Sequence, residues 1–205
     1  GRQLLDRLQE ETGIVGVSFL YQPFRHIFTN KAITSLADFQ GLKLRCMQTP
    51  VHQEIFSTLG MSPVALPYND IYSAMQNHTI DGFESDAVGA VTSKFYEVAS
   101  NMTVSAHFNN TMVLLMSDKA FSAMPEADQQ ICMEAGEAAA KASYDCSVAN
   151  NDAAIQTLKD NGMTVSEIDM TDIYAAVQPV IDKYSESIPE VKTLVEAAAA
   201  ATTND

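Results

Sequence analysis

The sequence predicts an α/β fold, and three observations carry that prediction. Residues 36–86 read as strand, helix, strand, helix, strand, the repeating unit of a parallel sheet with crossover helices. Ile14 to Tyr21 is an unbroken apolar run, the mark of a strand buried on both faces. From Pro125 to Asn161 no proline occurs and the only interior glycine is Gly136, which predicts one long helix.

In chain order, Leu4, Leu5 and Leu8 with charged neighbours form the end of a helix closed at Thr12-Gly13. The strand 14–21 stops at Gln22-Pro23, and Arg25-His26-Ile27-Phe28 resumes with strand composition. Ser35-Leu36-Ala37-Asp38 has the spacing of a capping box. Gly41-Leu42-Lys43-Leu44-Arg45 is the next strand, followed by a helix over Pro50 to Leu59. A strand over Ser62 to Tyr68, a helix from Asn69 and a strand over Ile80 to Asp86 complete the unit. Val88 to Val98 reads as a helix. Thr103 to His107 and Thr111 to Ser117 read as two strands around the turn signal Asn109-Asn110.

The long helix would measure about 55 Å at ~1.5 Å per residue, more than one compact lobe needs. Asn161-Gly162 closes it with a left-handed cap signal. A short edge strand (Met163 to Ser166) and helices over Met170 to Ser185 and Pro189 to Ala201 finish the chain.

Composition narrows the function. A net charge of −14 with only 12 Lys and Arg argues against nucleic acid and against docking on an anionic membrane surface. No apolar run reaches the length of a membrane span, so no membrane insertion is expected. The three cysteines do not suggest a disulfide framework. Cys132 and Cys146 stand 14 residues apart on the predicted long helix, too far to pair, and buried thiols are expected. No pair of histidines has metal-ligand spacing, and neither a nucleophile elbow nor a phosphate-cradling loop occurs, so no metal or cofactor is expected.

In a parallel sheet, Arg45, Tyr68 and Ser85 all fall near the carboxyl ends of strands, the rim where open α/β sheets bind ligands. Arg45 is either a surface arginine or a carboxylate clamp, since a guanidinium offers two parallel donors. Arg25 is a candidate second cation. Tyr68 and Phe83 either flank an organic ligand or belong to the core, and Ser85 either donates a hydroxyl bond or caps a helix. Glu84 and Asp86 form an acidic pair capable of acid–base work, although capping by Asp86 accounts for one of them.

At these residues the chain resembles a known family. Leu36 to Arg45, Leu59-Gly60-Met61-Ser62-Pro63, Ile71 to Gln76, Ile80-Asp81-Gly82 and Lys94 to Val98 resemble the solute-binding proteins of tripartite ATP-independent periplasmic (TRAP) transporters, in order and spacing over residues 13–185. The resemblance implies a periplasmic-binding-protein-like two-lobe architecture with a long helix spanning both lobes. It also implies a periplasmic location, a small organic acid held between the lobes, and delivery to a TRAP membrane permease. It leaves roughly 100 residues of the first lobe outside this chain, the size of a typical domain. The division it implies is residues 1–24 as the remnant of the first lobe, 25–110 as the second lobe, and 111–205 as return strands, long helix and terminal helices.

The resemblance places the carboxylate clamp on Arg45, a second arginine contact on Arg25, and an aromatic contact on Tyr68. Ser85-Asp86 stands where the family has Asn-Pro, and Met47 stands where it has a proline after the arginine. The expected ligand-binding set is therefore Arg45, Arg25, Ser85, Tyr68, Met47, Phe83 and Glu84, with a monocarboxylate favoured over a dicarboxylate because Asp86 would repel a second carboxylate. An incomplete lobe also predicts weak binding by this chain alone, or an oligomer that exchanges segments to cover exposed edges. Two alternatives remain: an enzyme acting on a small carboxylate through Glu84 or Asp86, and a sensor domain with the same pocket.

Overall fold

The computed structural model describes residues 1–202. The chain falls into two compact units built from separated segments, where the sequence predicts consecutive stretches. Among the described residues, the first holds 1–25, 86–92 and 106–160, and the second holds 26–85, 93–105 and 161–202.

The first unit opens with α1 (Arg2–Thr12), ended by Gly13 in the left-handed conformation at φ 68°. The apolar run predicted as a buried strand is β1 (Ile14–Leu20). It pairs antiparallel with β7 (Met112–Ser117), with a register shift between Gly16 and Ser18. The strands expected around Asn109-Asn110 do not pair with each other. β6 (Asn101–Asn109) joins the sheet of the second unit, while β7 joins β1. Met112, Val113, Leu114 and Leu115 of β7 are exposed.

α4 (Ala87–Thr92), α5 (Asp118–Ser122) and α6 (Glu126–Asp160) complete this unit. α6 is the long helix, 35 residues within the predicted limits. It lies so close to β1 that a Cβ on Gly136 would stand 2.5 Å from Val17 Cγ1. Only glycine fits there. Along it Ile131 is exposed, whereas Gly136, Ala154 and Leu158 are buried. Cys146 is exposed and Cys132 half-buried, which corrects the expectation of buried thiols; Cys46 alone of the three is buried.

The second unit carries a six-stranded sheet in the order β4-β3-β5-β2-β6-β8. Its strands are β2 (Phe24–Thr29), β3 (Lys43–Cys46), β4 (Ser62–Ala65), β5 (Gly82–Ser85), β6 and β8 (Thr164–Glu167). β3 runs parallel to both β4 and β5, as the strand–helix–strand pattern requires, and β2 is antiparallel to β5. Leu44 and Cys46 point into a core closed by Phe56 of α2 (Pro50–Thr58) and by Ile173 and Val177 of α7 (Thr171–Ser187). Removing such side chains from water contributes about 1.5–3 kcal/mol each. The capping box forms as predicted, with Ser35 N donating to Asp38 Oδ2 at 3.0 Å, and the preceding Thr34 N adds a bond to the same oxygen at 2.8 Å. A short 3-10 turn (Tyr68–Asp70) precedes α3 (Ile71–Gln76), and α8 (Pro189–Thr202) ends the described chain.

The helix predicted over Val88 to Val98 is broken. α4 stops at Thr92, Lys94 takes a positive φ of 54°, and Phe95–Glu97 restarts as a 3-10 turn. A lysine in that conformation costs about 1 kcal/mol. The burial of Phe95 on the other side of the break offsets that cost.

Candidate functional site

β3, β4 and β5 end on a common rim, which follows from their parallel pairing. Arg45 is the penultimate residue of β3 and is buried, 4 % exposed. Its Nε donates to the Leu66 carbonyl oxygen at 2.8 Å, and its Nη1 donates to Glu84 Oε1 at 3.2 Å. Glu84, on β5, has no exposed surface. A charge in such a place must be paired, because isolated burial of either ion costs several kcal/mol. The Leu66 carbonyl is available because Leu66 precedes Pro67 and is thereby kept out of the helical region.

Tyr68 begins the turn after β4, half-buried, with Arg45 Cζ 5.8 Å from its ring centre. Its hydroxyl lies 3.3 Å from Ser85 Oγ and accepts a bond from Ser93 Oγ at 3.3 Å. Phe83 is a core residue, stacked on Phe28 at 5.1 Å with parallel rings and edge-on to Phe95 at 4.6 Å. Phe95 in turn lies 5.5 Å from Tyr68. An aromatic ladder thus runs from the core to the rim. Met47 follows β3 directly, half-buried, in the loop before α2.

Arg45, Tyr68, Ser85, Glu84, Phe83 and Met47 therefore all belong to the second unit; Arg45 with Glu84 and Tyr68 with Ser85 are two hydrogen-bonded pairs, brought together where Arg45 approaches the Tyr68 ring. Arg25 belongs to the first unit, where its Nη1 stands 3.9 Å from Asp86 Oδ2. Asp86 Oδ1 also accepts from Gly89 N at 2.7 Å, capping α4. Each member of the acidic pair is thus engaged: Glu84 with Arg45, Asp86 with Arg25 and a helix end. Two participants were not anticipated. The Leu66 carbonyl had a signal in Pro67. Ser93 had none, since its place depends on the break at Lys94.

Burial, with the Glu84 charge second, raises the Cys46 thiol pKa above its ordinary 9.0, and Arg45 opposes this. Among the described residues no group of histidine, cysteine, aspartate and glutamate could hold a metal ion, and no helix is long and apolar enough to cross a membrane. A cleft of about 740 Å³ opens at the other, amino-terminal ends of β3 and β5, lined by Leu42, Tyr72, Met75, Ile80, Asp81 and Tyr96 among others. None of the residues expected to bind ligand lines it.

The sequence profile of the bacterial extracellular solute-binding proteins, family 7 (DctP), matches residues 1–187. The chain belongs to that family.

Among its DctP-family relatives, a solute-binding protein of Sulfitobacter sp. strain NAS-14.1 is 33 % identical, over 90 % of this chain and 57 % of that protein. The C4-dicarboxylate-binding periplasmic protein DctP of Rhodobacter capsulatus is 30 % identical, over 98 % of this chain and 61 % of that protein. The chain thus spans less than two thirds of the relatives it matches. Among solved structures, a TRAP periplasmic solute-binding protein of Sulfitobacter sp. NAS-14.1 with bound α-D-taluronate superposes with a TM-score of 0.88 at 33 % identity, covering 96 % of this chain and 64 % of the other. The sugar acid binding protein DctPAm of Advenella mimigardefordensis, in complex with galactonate, gives 0.91 at 29 %, covering 98 % and 66 %. Members of the family are binding proteins of transporters, not enzymes.

Proposed function

We propose that this chain is the carboxylate-gripping part of an extracytoplasmic TRAP solute-binding protein for a sugar acid, which it delivers to a membrane permease. The observation that carries the reading is the buried Arg45 at the carboxyl rim of β3, its guanidinium held by the Leu66 carbonyl and Glu84. A guanidinium already held in place can recognise a carboxylate without first losing side-chain freedom. Tyr68 supplies a ring beside that guanidinium. Relatives of known structure were solved with galacturonate, taluronate and galactonate, which supports a sugar acid as the ligand class. Glu84 takes part as the counter-ion of Arg45.

A thermal-shift screen of the full-length protein against D-galacturonate, D-glucuronate, D-galactonate, succinate and neutral D-galactose tests the reading. At a concentration 100 times Kd, a true ligand stabilises by about 2.7 kcal/mol and raises Tm by several degrees. A sugar acid should do so and galactose should not. A response to galactose equal to that of galacturonate would refute carboxylate recognition.

A further inference from the structure

Ser85 carries an expectation that its surroundings change. It has no exposed surface, and its hydroxyl lies 3.3 Å from Tyr68 Oη. On the other side of that phenol, Ser93 Oγ donates to the same oxygen at 3.3 Å. Two serines, from β5 and from the residue after α4, thus close on the tip of one half-buried ring. The Phe95 ring centre lies 5.5 Å from that of Tyr68, and the Arg45 guanidinium carbon stands 5.8 Å from the Tyr68 ring centre.

We propose that Ser85 and Ser93 are positioning residues: they clasp the Tyr68 hydroxyl and so fix the ring that supports Arg45. This deepens the sugar-acid reading and rests on it for the ligand. The tip of a tyrosine is the point farthest from its backbone, so bonds at Oη restrain the ring swing most effectively. The ring face carries negative quadrupole charge and attracts the guanidinium. With the Leu66 carbonyl on Nε and Glu84 on Nη1, the ring is a further restraint on the guanidinium plane. Ser85 then acts on the ligand through Tyr68 and Arg45, not by touching it.

Calorimetric titration of the full-length protein with D-galacturonate separates the two roles. Ser93→Ala and Ser85→Ala should each weaken binding about fivefold, the worth of one ordinary hydrogen bond, and Tyr68→Phe, which removes both bonds, should weaken it by more. In the Tyr68→Phe background, Ser85→Ala and Ser93→Ala should cause no further loss, because the bond they make is already gone. A Ser85→Ala loss that persists at full size in the Tyr68→Phe background would mean direct ligand contact and would overturn the proposal. A second arm uses ligand-free protein: NMR exchange of the Arg45 Nε proton should be faster in Ser93→Ala than in wild type. An unchanged rate would also overturn it. Because that arm needs no ligand, it decides the clasp even where galacturonate does not bind.

Discussion

Arg45 Nη1 stands 3.2 Å from Glu84 Oε1, with both side chains buried at adjacent parallel strand ends. The rim arginine therefore brings its own counter-charge. Removing that charge leaves a buried guanidinium without its carboxylate, a loss of about 3 kcal/mol. Glu84→Gln should show it as a lower urea midpoint at unchanged slope. A midpoint within error of wild type would mean the pair is neutral in stability.

Cys46 and Cys146 should separate cleanly by alkylation. Burial first and the Glu84 charge second raise the Cys46 pKa, so its thiolate is scarce at neutral pH. A raised pKa contributes stability below the ordinary thiol value of 9.0 that is lost as pH climbs through the raised one. Mass spectrometry of native protein treated with iodoacetamide at pH 7 should find Cys146, which is exposed, modified well before Cys46. Modification of Cys46 should set in only at alkaline pH.

Gly136→Ala tests the contact between α6 and β1. Helix propensity alone would favour alanine by about 1 kcal/mol. The new Cβ would meet Val17 Cγ1 at 2.5 Å and Ser18 Cβ at 3.2 Å, and overpacking of this kind costs about 1–3 kcal/mol. The valine is branched at Cβ and stiff, so the clash should win. Thermal unfolding should show a lower Tm for Gly136→Ala, and a higher one would show that the helix shifts freely.

The tie between α2 and α7 should weaken in acid. Lys183 Nζ donates to Glu54 Oε1 and Oε2 at 2.7 and 2.8 Å, and that bond lowers the Glu54 pKa below its ordinary 4.5. A lowered pKa contributes stability present above the ordinary value and lost as pH falls through the lowered one. The Tm difference between wild type and Lys183→Met should therefore be present at pH 7 and vanish well below pH 4.5. Both side chains are partly exposed, so high salt should shrink it as well.

Much of this fold is legible in local sequence, because its elements are set by local rules. The apolar run makes β1, Ser35 and Asp38 make the capping box, and the absence of proline between Pro125 and Asn161 permits α6. Partner choice is less legible. Asn109-Asn110 looks like a hairpin turn, yet β7 finds β1 about a hundred residues upstream, a pairing decided by tertiary packing. The break at Lys94 is hidden as well, since burying Phe95 outweighs the helical preference of the segment. Within the site, Arg45 stands out because it lies near the end of a strand beside two others. Its partners Glu84 and Leu66, and the Ser93 bond to Tyr68, depend on strand register and on that break. Phe83 illustrates the same limit: strand position alone does not tell a rim aromatic from a core one, and its stacking on Phe28 puts it in the core.

The most direct test of the account is the affinity of the full-length protein for D-galacturonate before and after Arg45→Lys, measured by titration calorimetry. Lysine keeps a positive charge for Glu84 but loses the planar pair of donors. The account predicts a loss of about 2 kcal/mol or more, at least thirtyfold in Kd, with the fold intact by circular dichroism. An affinity unchanged by Arg45→Lys and by Arg45→Ala would contradict it.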